Sequence, residues 1–380
     1  MPRPLFCRRT ALRSLAGAGA GGVLGLGSTA CGPNDATREE PRRRFGAEWE
    51  SHARTFMSWP ALDSVWGEDL NAVRADIARV ARAIGDYEPV VVMARAEQLA
   101  AAQRACGAQV EVIPLTVDDL WARDTVPVFV EEGGASGRVL GVDLNFSGWG
   151  GKQTHMHDAR VGERLLAEYG IARTVAPLVA EGGSFETDGE GTLLVTESSV
   201  VNRNRNPGKS RDGIEAELKS SLGVSKVIWF QGVKGQDITD AHVDSIARFT
   251  APGVVLVDQA FPGGPPDVWS RAADQARRVL REATDARGKG IEVIDLPQPD
   301  PYEITGSGDD FVSTYANFYV ANDAVFMPRF GDAKADDRAR GILRDHFPDR
   351  EVVPVRIDAI ASGGGGIHCS THDQPGRPAE

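Results

Sequence analysis

The sequence predicts an α/β fold in a single domain of about 330 residues. Short, apolar, β-rich segments alternate with amphipathic segments, and these segments recur at intervals of roughly 50 to 60 residues. Between Phe45 and about Pro375 there is no Pro/Ser-rich break that would mark a linker. The regular alternation therefore favours one α/β domain, which is large enough to bury a sizeable core.

The predicted strands share three features: each is short, apolar and bounded by Gly, Pro or Asp. In chain order they are Val90–Ala94, Val110–Pro114, Val126–Glu131, Val139–Phe146, Thr192–Thr196, Lys226–Phe230, Gly253–Asp258, Ile291–Leu296, Phe318–Val320, Ala324–Pro328 and Glu351–Val355.

The predicted helices have apolar residues at steps of three and four, which place these residues on one face. They are Asp69–Ile84, Ala96–Cys106, Asp158–Tyr169, Arg211–Leu222, Val268–Ala286 and Lys334–His346. Periodicity alone is equally compatible with a doubly wound sheet, a barrel and a radial arrangement of units.

The N-terminal residues 1–31 have the composition of an export signal. They contain four arginines and no acidic residue, and a Gly/Ala-rich apolar stretch runs from Leu15 to Ala30. Arg8 and Arg9 resemble the pair of a twin-arginine signal. Small residues at 28–30 suit signal cleavage, and Cys31 directly after them suggests a lipid anchor as an alternative. The remaining alternative is a glycine-rich arm of a cytoplasmic protein.

The charge of the chain argues against nucleic acid as its main partner. Lys and Arg total 42 against 54 Asp and Glu, and the formal net charge is −12. Removal of residues 1–31 with their four arginines lowers this charge to −16. An acidic protein suits a small cationic ligand. We expect residues 32–44 to form a flexible tether, the folded domain to span 45–375, and residues 376–380 to form a tail.

The four cysteines are too few and too scattered for a disulfide framework or a spaced zinc module. Cys369 follows four consecutive glycines, which suit close approach of a ligand, and we interpret it as a nucleophile. A buried structural cysteine is one alternative. A zinc site is the other, with candidate ligands His155, His157, His368, Cys369 and His372.

Three polar segments interrupt the apolar pattern. Residues 121–125 (WARDT) precede a strand and suggest a cation site, or else an ion pair between Arg123 and Asp124 under a packed tryptophan. Residues 181–184 (EGGS) let the backbone approach a ligand. Residues 202–207 (NRNRNP) fit a hydrogen-bonded turn as well as a site.

His242 and Asp244 lie just before an apolar stretch. In an extended segment, residues two apart share one face, so both side chains reach one ligand. An imidazole then transfers protons while a carboxylate holds a cation or orients the ring. A purely structural His–Asp pair is the alternative.

Taken together, these segments resemble the family of agmatine deiminases and bacterial, Porphyromonas-type peptidylarginine deiminases, in the guanidine-modifying superfamily. The resemblance covers most of the chain, from Phe45 to Pro375. It is carried by residues 47–53 (AEWESHA), 59–60 (WP), 121–125 (WARDT), 145–152 (NFSGWGGK), 181–184 (EGGS), 202–207 (NRNRNP), 240–244 (DAHVD), 315–319 (YANFY) and 364–369 (GGGIHC).

The resemblance implies a five-bladed α/β propeller of ββαβ units with the active site in a central channel. It also implies hydrolysis of a guanidinium to a ureido group with release of ammonia, without a metal or organic cofactor. It identifies Cys369 as the nucleophile, His242 as the acid/base, and Asp124, Glu181 and Asp244 as the carboxylates of the site. The residues expected to contact substrate are Trp59, Trp121, Arg123, Asn317, Gly365 and Gly366.

Two departures from the family pattern concern substrate recognition. Ser64 and Val65 stand before Trp66 where agmatine deiminases usually carry an Asp-Asn pair, and Gly366 replaces the usual asparagine before Ile-His-Cys. We favour agmatine as substrate, with peptidyl or free arginine as the alternative. A binding protein that captures guanidinium cations and an amidinotransferase are the other hypotheses.

Overall fold

The computed structural model describes residues 43–376 except 134–136, 307 and 309. The predicted export segment, residues 32–42 of the predicted tether and most of the predicted tail lie outside these residues. The strands are β1 (Arg43–Arg44), β2 (His52–Ser58), β3 (Val90–Ala94), β4 (Val110–Pro114), β5 (Val128–Glu132), β6 (Arg138–Asp143), β7 (Ala172–Val175), β8 (Phe185–Thr187), β9 (Thr192–Thr196), β10 (Lys226–Phe230), β11 (Ala247–Ala251), β12 (Val254–Gln259), β13 (Glu292–Pro297), β14 (Tyr319–Val320), β15 (Ala324–Arg329), β16 (Glu351–Arg356) and β17 (His372–Pro375).

Six helices of eight or more residues pack against these strands. They are α1 (Leu70–Gly85), α2 (Leu99–Cys106), α3 (Val161–Glu168), α4 (Arg211–Leu222), α5 (Val268–Glu282) and α6 (Ala333–His346). Helix α1 shows why the sequence periodicity works: Val73, Ile77, Val80 and Ile84 recur at steps of three and four, and all are buried. In the described part of the chain, each helix is too short or too polar to cross a membrane.

The strands form five sheets that repeat one pattern. In each sheet the first two strands of the unit are antiparallel, a helix follows, and the next strand returns parallel to the second. The units are β5-β6-α3-β7, β8-β9-α4-β10, β11-β12-α5-β13, β14-β15-α6-β16 and β17-β2-α1-β3. These five ββαβ units confirm the α/β propeller that the motifs predicted.

The fifth unit joins the two ends of the described chain. Its first strand is the C-terminal β17, which pairs antiparallel with β2, so that His372 lies opposite Phe56. Strand β4 extends this sheet through a second parallel pairing, after helix α2. Because β2, near the N-terminal end of the domain, shares one sheet with the C-terminal β17, the fifth unit forms only when both ends of the domain are in place.

Each unit begins with a single helical turn directly before its first strand. The five turns are Ala122–Thr125, Gly182–Ser184, Val243–Ser245, Tyr315–Asn317 and His368–Ser370. Contacts join successive turns to one another and the last to the first. The equivalent position of each unit therefore supplies the residues of one central site.

Several boundaries differ from the sequence predictions. Arg43 and Arg44 were assigned to the flexible tether, but they form β1 and pair with Glu132 and Glu131 of β5. The folded unit therefore includes Arg43 and Arg44 and does not begin at Phe45. Arg44 is also held by an ion pair with Glu50. The predicted strands missed β2, β7, β8, β11 and β17, which are short or carry polar residues.

Candidate active site

The nucleophile candidate Cys369 lies in the one-turn helix that begins the fifth unit, and it is half-buried. The preceding glycines serve packing. A Cβ at Gly365 would overlap the ring of Trp121, and one at Gly366 would lie 2.6 Å from Oδ1 of Asn317. Gly365 and Gly366 thus allow close approach of Trp121 and Asn317, and their contact with substrate stays a prediction.

Asn317 and Asp244 hold the thiol from two sides. The Asn317 Nδ2 group donates to Sγ at 3.1 Å, while its Oδ1 accepts from the Cys369 backbone N–H at 3.1 Å. The thiol itself donates to Oδ2 of Asp244 at 3.4 Å. Burial, followed by the charges of Asp244 and Asp124, raises the pKa of Cys369 well above its usual value. The resting group is thus the thiol, and thiolate formation requires added positive charge.

His242 lies between two carboxylates. Its Nε2 is 3.1 Å from Oε2 of Glu181, and its Nδ1 is 3.7 Å from Oδ1 of Asp124. Burial lowers the pKa of His242, but the charge of Asp124 and the hydrogen bond and charge of Glu181 outweigh burial and raise it to about 9. The ring is therefore an imidazolium at neutral pH and has a proton to give.

Glu181 owes its orientation to a buried arginine. Nε of Arg205 donates to both Glu181 oxygens, at 2.8 and 2.9 Å, and neither side chain is exposed. Burial raises the pKa of Glu181, but His242 and Arg205 outweigh burial and lower it. Arg205 also pairs with Asp240 at 2.8 Å. Sequence reasoning missed Arg205 as an individual residue, although it noted the polar segment 202–207.

The pKa values of Asp124 and Asp244 are shifted in opposite directions although both side chains are buried. Burial, with the nearby charges of Glu181 and Asp244, raises the pKa of Asp124, despite a hydrogen bond from Nε1 of Trp149 at 2.8 Å. For Asp244, burial is outweighed by the hydrogen bond and charge of His368, and its pKa falls to about 2. Asp244 lies in a one-turn helix, and not in the extended segment predicted from the period of two.

Gly183 leaves room for the side chains of His242, Asp124 and Asp244 to lie close together. A Cβ at this position would lie 2.6 Å from Nδ1 of His242, 3.0 Å from Oδ1 of Asp124 and 3.2 Å from Oδ2 of Asp244. Only hydrogen fits there, so the glycine allows the imidazole and both carboxylates to approach one another. We define Cys369, His242, Asp124, Glu181 and Asp244 as the active-site cluster.

Arg123 points away from this cluster and must be reassigned. Its guanidinium pairs with Glu48 at 2.8 Å and with Asp373 at 3.2 Å, rather than with Asp124. Glu48 also binds Arg248 at 2.8 Å, and Arg248 binds Glu186 at 2.9 Å. We call Glu48, Arg123, Glu186, Arg248 and Asp373 the ion-pair network. In this network the guanidinium groups of both arginines are paired with carboxylates, so Arg123 is a structural residue.

The two tryptophans named as substrate contacts have different positions. Trp121 is buried beside Gly365, and its ring lies 6.3 Å from that of Trp66. Trp121 therefore lies against the glycine segment that precedes Cys369. Trp59 belongs to the core, where the guanidinium carbon of Arg74 lies 5.9 Å from its ring. Trp59 is therefore buried in the same core as Trp121, and its contact with substrate stays a prediction.

The histidines of the zinc alternative are engaged elsewhere. His157 binds Asp118 at 2.7 Å, and His155 lies 2.7 Å from the backbone oxygen of Gln153. Residues 43–376, where described, contain no group of three or more His, Cys, Asp or Glu side chains that could hold a metal ion. Cys106 is buried and free, and Cys369 is half-buried and free.

The active-site cluster is suited to binding a planar cation beside a thiol. Two carboxylates accept hydrogen bonds from such a cation, and the thiol lies within reach of its central atom. The imidazolium of His242 supplies a proton to a leaving group. Because buried carboxylates are costly without positive charge, the arrangement favours cationic ligands over neutral ones.

Comparison with known proteins identifies extensive similarities. Residues 44–375 match the model of a family described as Porphyromonas-type peptidyl-arginine deiminase. The agmatine deiminase of Stutzerimonas stutzeri is 37% identical over 352 residues, covering 87% of this chain and 94% of that protein. The agmatine deiminase of Medicago truncatula is 36% identical over 358 residues, covering 87% and 95%. A solved structure of agmatine deiminase from Enterococcus faecalis, described as catalysing its reaction, has a TM-score of 0.82 at 31% identity, covering 88% of this chain and 96% of that one.

Proposed function

The chain belongs to the Porphyromonas-type peptidyl-arginine deiminase family, and we propose that it hydrolyses agmatine to N-carbamoylputrescine and ammonia. This activity makes it a hydrolase of C–N bonds in linear amidines. The observation that carries the proposal is the juxtaposition of Cys369 with Asp244 and of His242 with Asp124 and Glu181. The family expected from the sequence motifs is thereby confirmed.

Binding of the guanidinium adds positive charge to an active-site cluster in which three carboxylates outnumber the single imidazolium of His242. Asp124 and Asp244 lie on two sides of Gly183, and their oxygens accept N–H groups from the flat cation. The bound cation favours ionisation of Cys369, whose pKa is raised in the free enzyme by burial and by the same two carboxylates, and the thiol proton is released to solvent because His242 is already protonated. Substrate binding and activation of the nucleophile are thus coupled.

The first half-reaction forms a covalent intermediate. The Cys369 thiolate attacks the central guanidinium carbon, forming a C–S bond, and the imidazolium of His242 protonates the departing nitrogen. The C–N bond breaks and ammonia leaves. Cys369 then carries a thiouronium group, and His242 has become a neutral base, oriented by Glu181.

The second half-reaction consumes water. Neutral His242 takes a proton from a water molecule as its oxygen attacks the thiouronium carbon. Collapse of the tetrahedral intermediate breaks the C–S bond, the remaining O–H proton passes to the departing sulfur, and the ureido product is released with Cys369 returned as the thiol. Asn317, which contacts both the sulfur and the backbone N–H of Cys369, keeps the leaving sulfur in place.

Peptidyl-arginine is the second candidate substrate, and the family description favours it. An export signal would also expose the enzyme to arginine in other proteins. Incubation of the full chain separately with agmatine, free arginine and an arginine-containing peptide distinguishes these cases. We expect ammonia and a ureido product from agmatine, and product from the peptide alone would reassign the substrate. Binding of agmatine without any ammonia would favour a capture protein.

We also propose that residues 1–31 direct export by a twin-arginine route, with lipidation of Cys31 as the alternative to simple cleavage after Ala30. The support is the Arg8-Arg9 pair and the apolar stretch, which precede the family match at residue 44. Fractionation of cells expressing the full chain and a variant with Lys at positions 8 and 9 tests this. Export of wild type alone is expected, and equal retention of both proteins in the cytoplasm would contradict it.

A further inference from the structure

A second histidine lies directly behind the nucleophile. His368 precedes Cys369 in the same helical turn and is 2% exposed. Its Nδ1 is 2.8 Å from Oδ2 of Asp244, and its Nε2 is 2.9 Å from Oε2 of Glu48. Both ring nitrogens therefore face carboxylate oxygens, on opposite edges of one imidazole.

This geometry limits the hydrogen bonds that the ring can make. A neutral imidazole carries one N–H group, whereas carboxylates only accept hydrogen bonds. Glu48 is bound by two arginines, and its pKa is lowered, because these charges and His368 outweigh burial. Asp244 is likewise ionised. Both contacts of His368 are hydrogen bonds only when the ring is an imidazolium.

The carboxylate between this ring and the nucleophile is shared. Oδ2 of Asp244 receives the His368 hydrogen bond at 2.8 Å and the thiol of Cys369 at 3.4 Å. The ring thus determines which oxygen faces the sulfur. Its positive charge also contacts the same carboxylate oxygen whose negative charge opposes ionisation of the thiol.

We propose that His368, held as an imidazolium between Glu48 and Asp244, is a positioning residue for the nucleophile. It orients Asp244 toward Cys369 and offsets the negative charge of Asp244 at the sulfur. The kinetic part of its test rests on the proposed function, whereas the chemical part needs no substrate.

The charge balance around His368 includes groups from each element packed against it. Nε of Arg123 donates to the backbone oxygen of His368 at 3.3 Å. The other titratable or charged groups that face it are Glu48, Glu186, Asp244, His372 and Cys369.

Two isosteric variants separate orientation from charge. His368→Asn places an amide nitrogen near the Nδ1 position and keeps a donor for Asp244, while His368→Gln places one near Nε2 and keeps a donor for Glu48. Both lose the charge. At a fixed pH, we expect alkylation of Cys369 by iodoacetamide to slow about tenfold in both, since the thiolate is the nucleophile. Mass spectrometry assigns the thioether to Cys369 rather than to another cysteine.

Agmatine kinetics then report orientation. We expect KM to rise about tenfold in His368→Gln, because Asp244 loses its donor, and to change less than about twofold in His368→Asn. Equal KM values in the two variants would contradict the orienting role. Unchanged alkylation in both would contradict the charge role.

Glu186→Gln is the matched control. Glu186 is a buried carboxylate of the ion-pair network, bound to Arg248 and to the backbone N–H of Phe249 at 2.8 Å. Removal of this negative charge cannot slow thiol ionisation. Slowing equal to that of the His368 variants would show a general effect of perturbing the network, and would overturn the proposal.

Neutron diffraction from deuterium-exchanged wild-type crystals at neutral pH tests the central premise without a variant. We expect deuterium on both ring nitrogens of His368, and deuterium on only one would overturn the proposal. If the wild type released no ammonia from agmatine, the proposed function would fail, while the diffraction and alkylation results would still decide the role of His368.

Discussion

Two groups of charges meet at the five helical turns, and neighbouring residues of one turn enter different groups. Arg123 belongs to the ion-pair network, whereas Asp124 belongs to the active-site cluster. In the network, each carboxylate has an arginine partner within 3.2 Å. In the active-site cluster, Glu181 has Arg205, but Asp124 and Asp244 converge on a thiol and a shared imidazolium.

The difference indicates that the buried charges of the two groups have separate roles, one in structure and one in substrate binding. In the ion-pair network each carboxylate is paired with an arginine, and the network joins Glu48 of the N-terminal segment to several units, so it supports the structure. In the active-site cluster one imidazolium, His242, faces three carboxylates, and a substrate guanidinium adds positive charge. Substitutions in the ion-pair network should therefore reduce stability more than activity. Substitutions in the active-site cluster should reduce activity more than stability.

The largest effect on activity should come from Cys369→Ala. Removing the nucleophile eliminates the covalent route, and we expect ammonia release from agmatine to fall by about 10⁴-fold or more. Agmatine should still bind, as measured by calorimetry, because the carboxylates remain. Cys106→Ala is the control, since this thiol lies in the core. Retained turnover in Cys369→Ala would exclude the covalent mechanism.

Asp124→Asn should weaken both binding and turnover, with kcat/KM reduced by about 10² to 10³-fold. Its resistance to urea should equal or exceed that of wild type, because the change removes an uncompensated buried charge. Asp258→Asn is the control: burial raises the pKa of Asp258 to about 7, and it binds Thr314 and Gln298 instead. Similar kinetic losses in both variants would contradict the distinction.

Glu48→Gln should reduce stability more than activity. It leaves Arg123 and Arg248 partly uncompensated, and we expect the free energy of unfolding to fall by about 3–5 kcal/mol. Urea denaturation measures the change. Glu50→Gln removes a more exposed carboxylate that pairs with Arg44, and should cost less than about 1 kcal/mol. Equal effects would show that burial of the ion-pair network contributes little.

The smallest predicted effect is a dependence of stability on pH. His242 has a folded-state pKa of about 9 against 6.5 for the unfolded chain, so its contribution is complete below about 6.5 and is lost as pH rises through 9. His52, whose pKa is also raised to about 9, partly by Glu88, contributes in the same direction. Urea midpoints should therefore fall from pH 6 to 10, and less steeply in His242→Asn. An equal slope in this variant would contradict the charge assigned to His242.

The alternating pattern predicted most of the fold because each unit buries its own apolar strands and helix face. Helix Arg211–Leu222 and strand Thr192–Thr196 agree with the predicted bounds. Strand β17, with the sequence HDQP, carries no local apolar signal. It forms because β2 offers a partner, and this pairing joins distant parts of the chain.

The site was predictable only where family motifs marked it. The motifs identified all members of the active-site cluster, which the structure brings together, although their catalytic roles stay predictions. The roles of Arg205 and Glu48 were not predictable, because ion pairs between distant segments define them. Arg123 lies beside Asp124 in sequence, yet the helical turn directs its side chain to the ion-pair network.

A single-turnover reaction of the full chain with agmatine, quenched in acid, tests the central claim most directly. Mass spectrometry of the peptide that contains Cys369 should show a thiouronium adduct, with one ammonia released for each adduct formed. Ammonia release with Cys369 unmodified at every time point would contradict the proposed covalent mechanism.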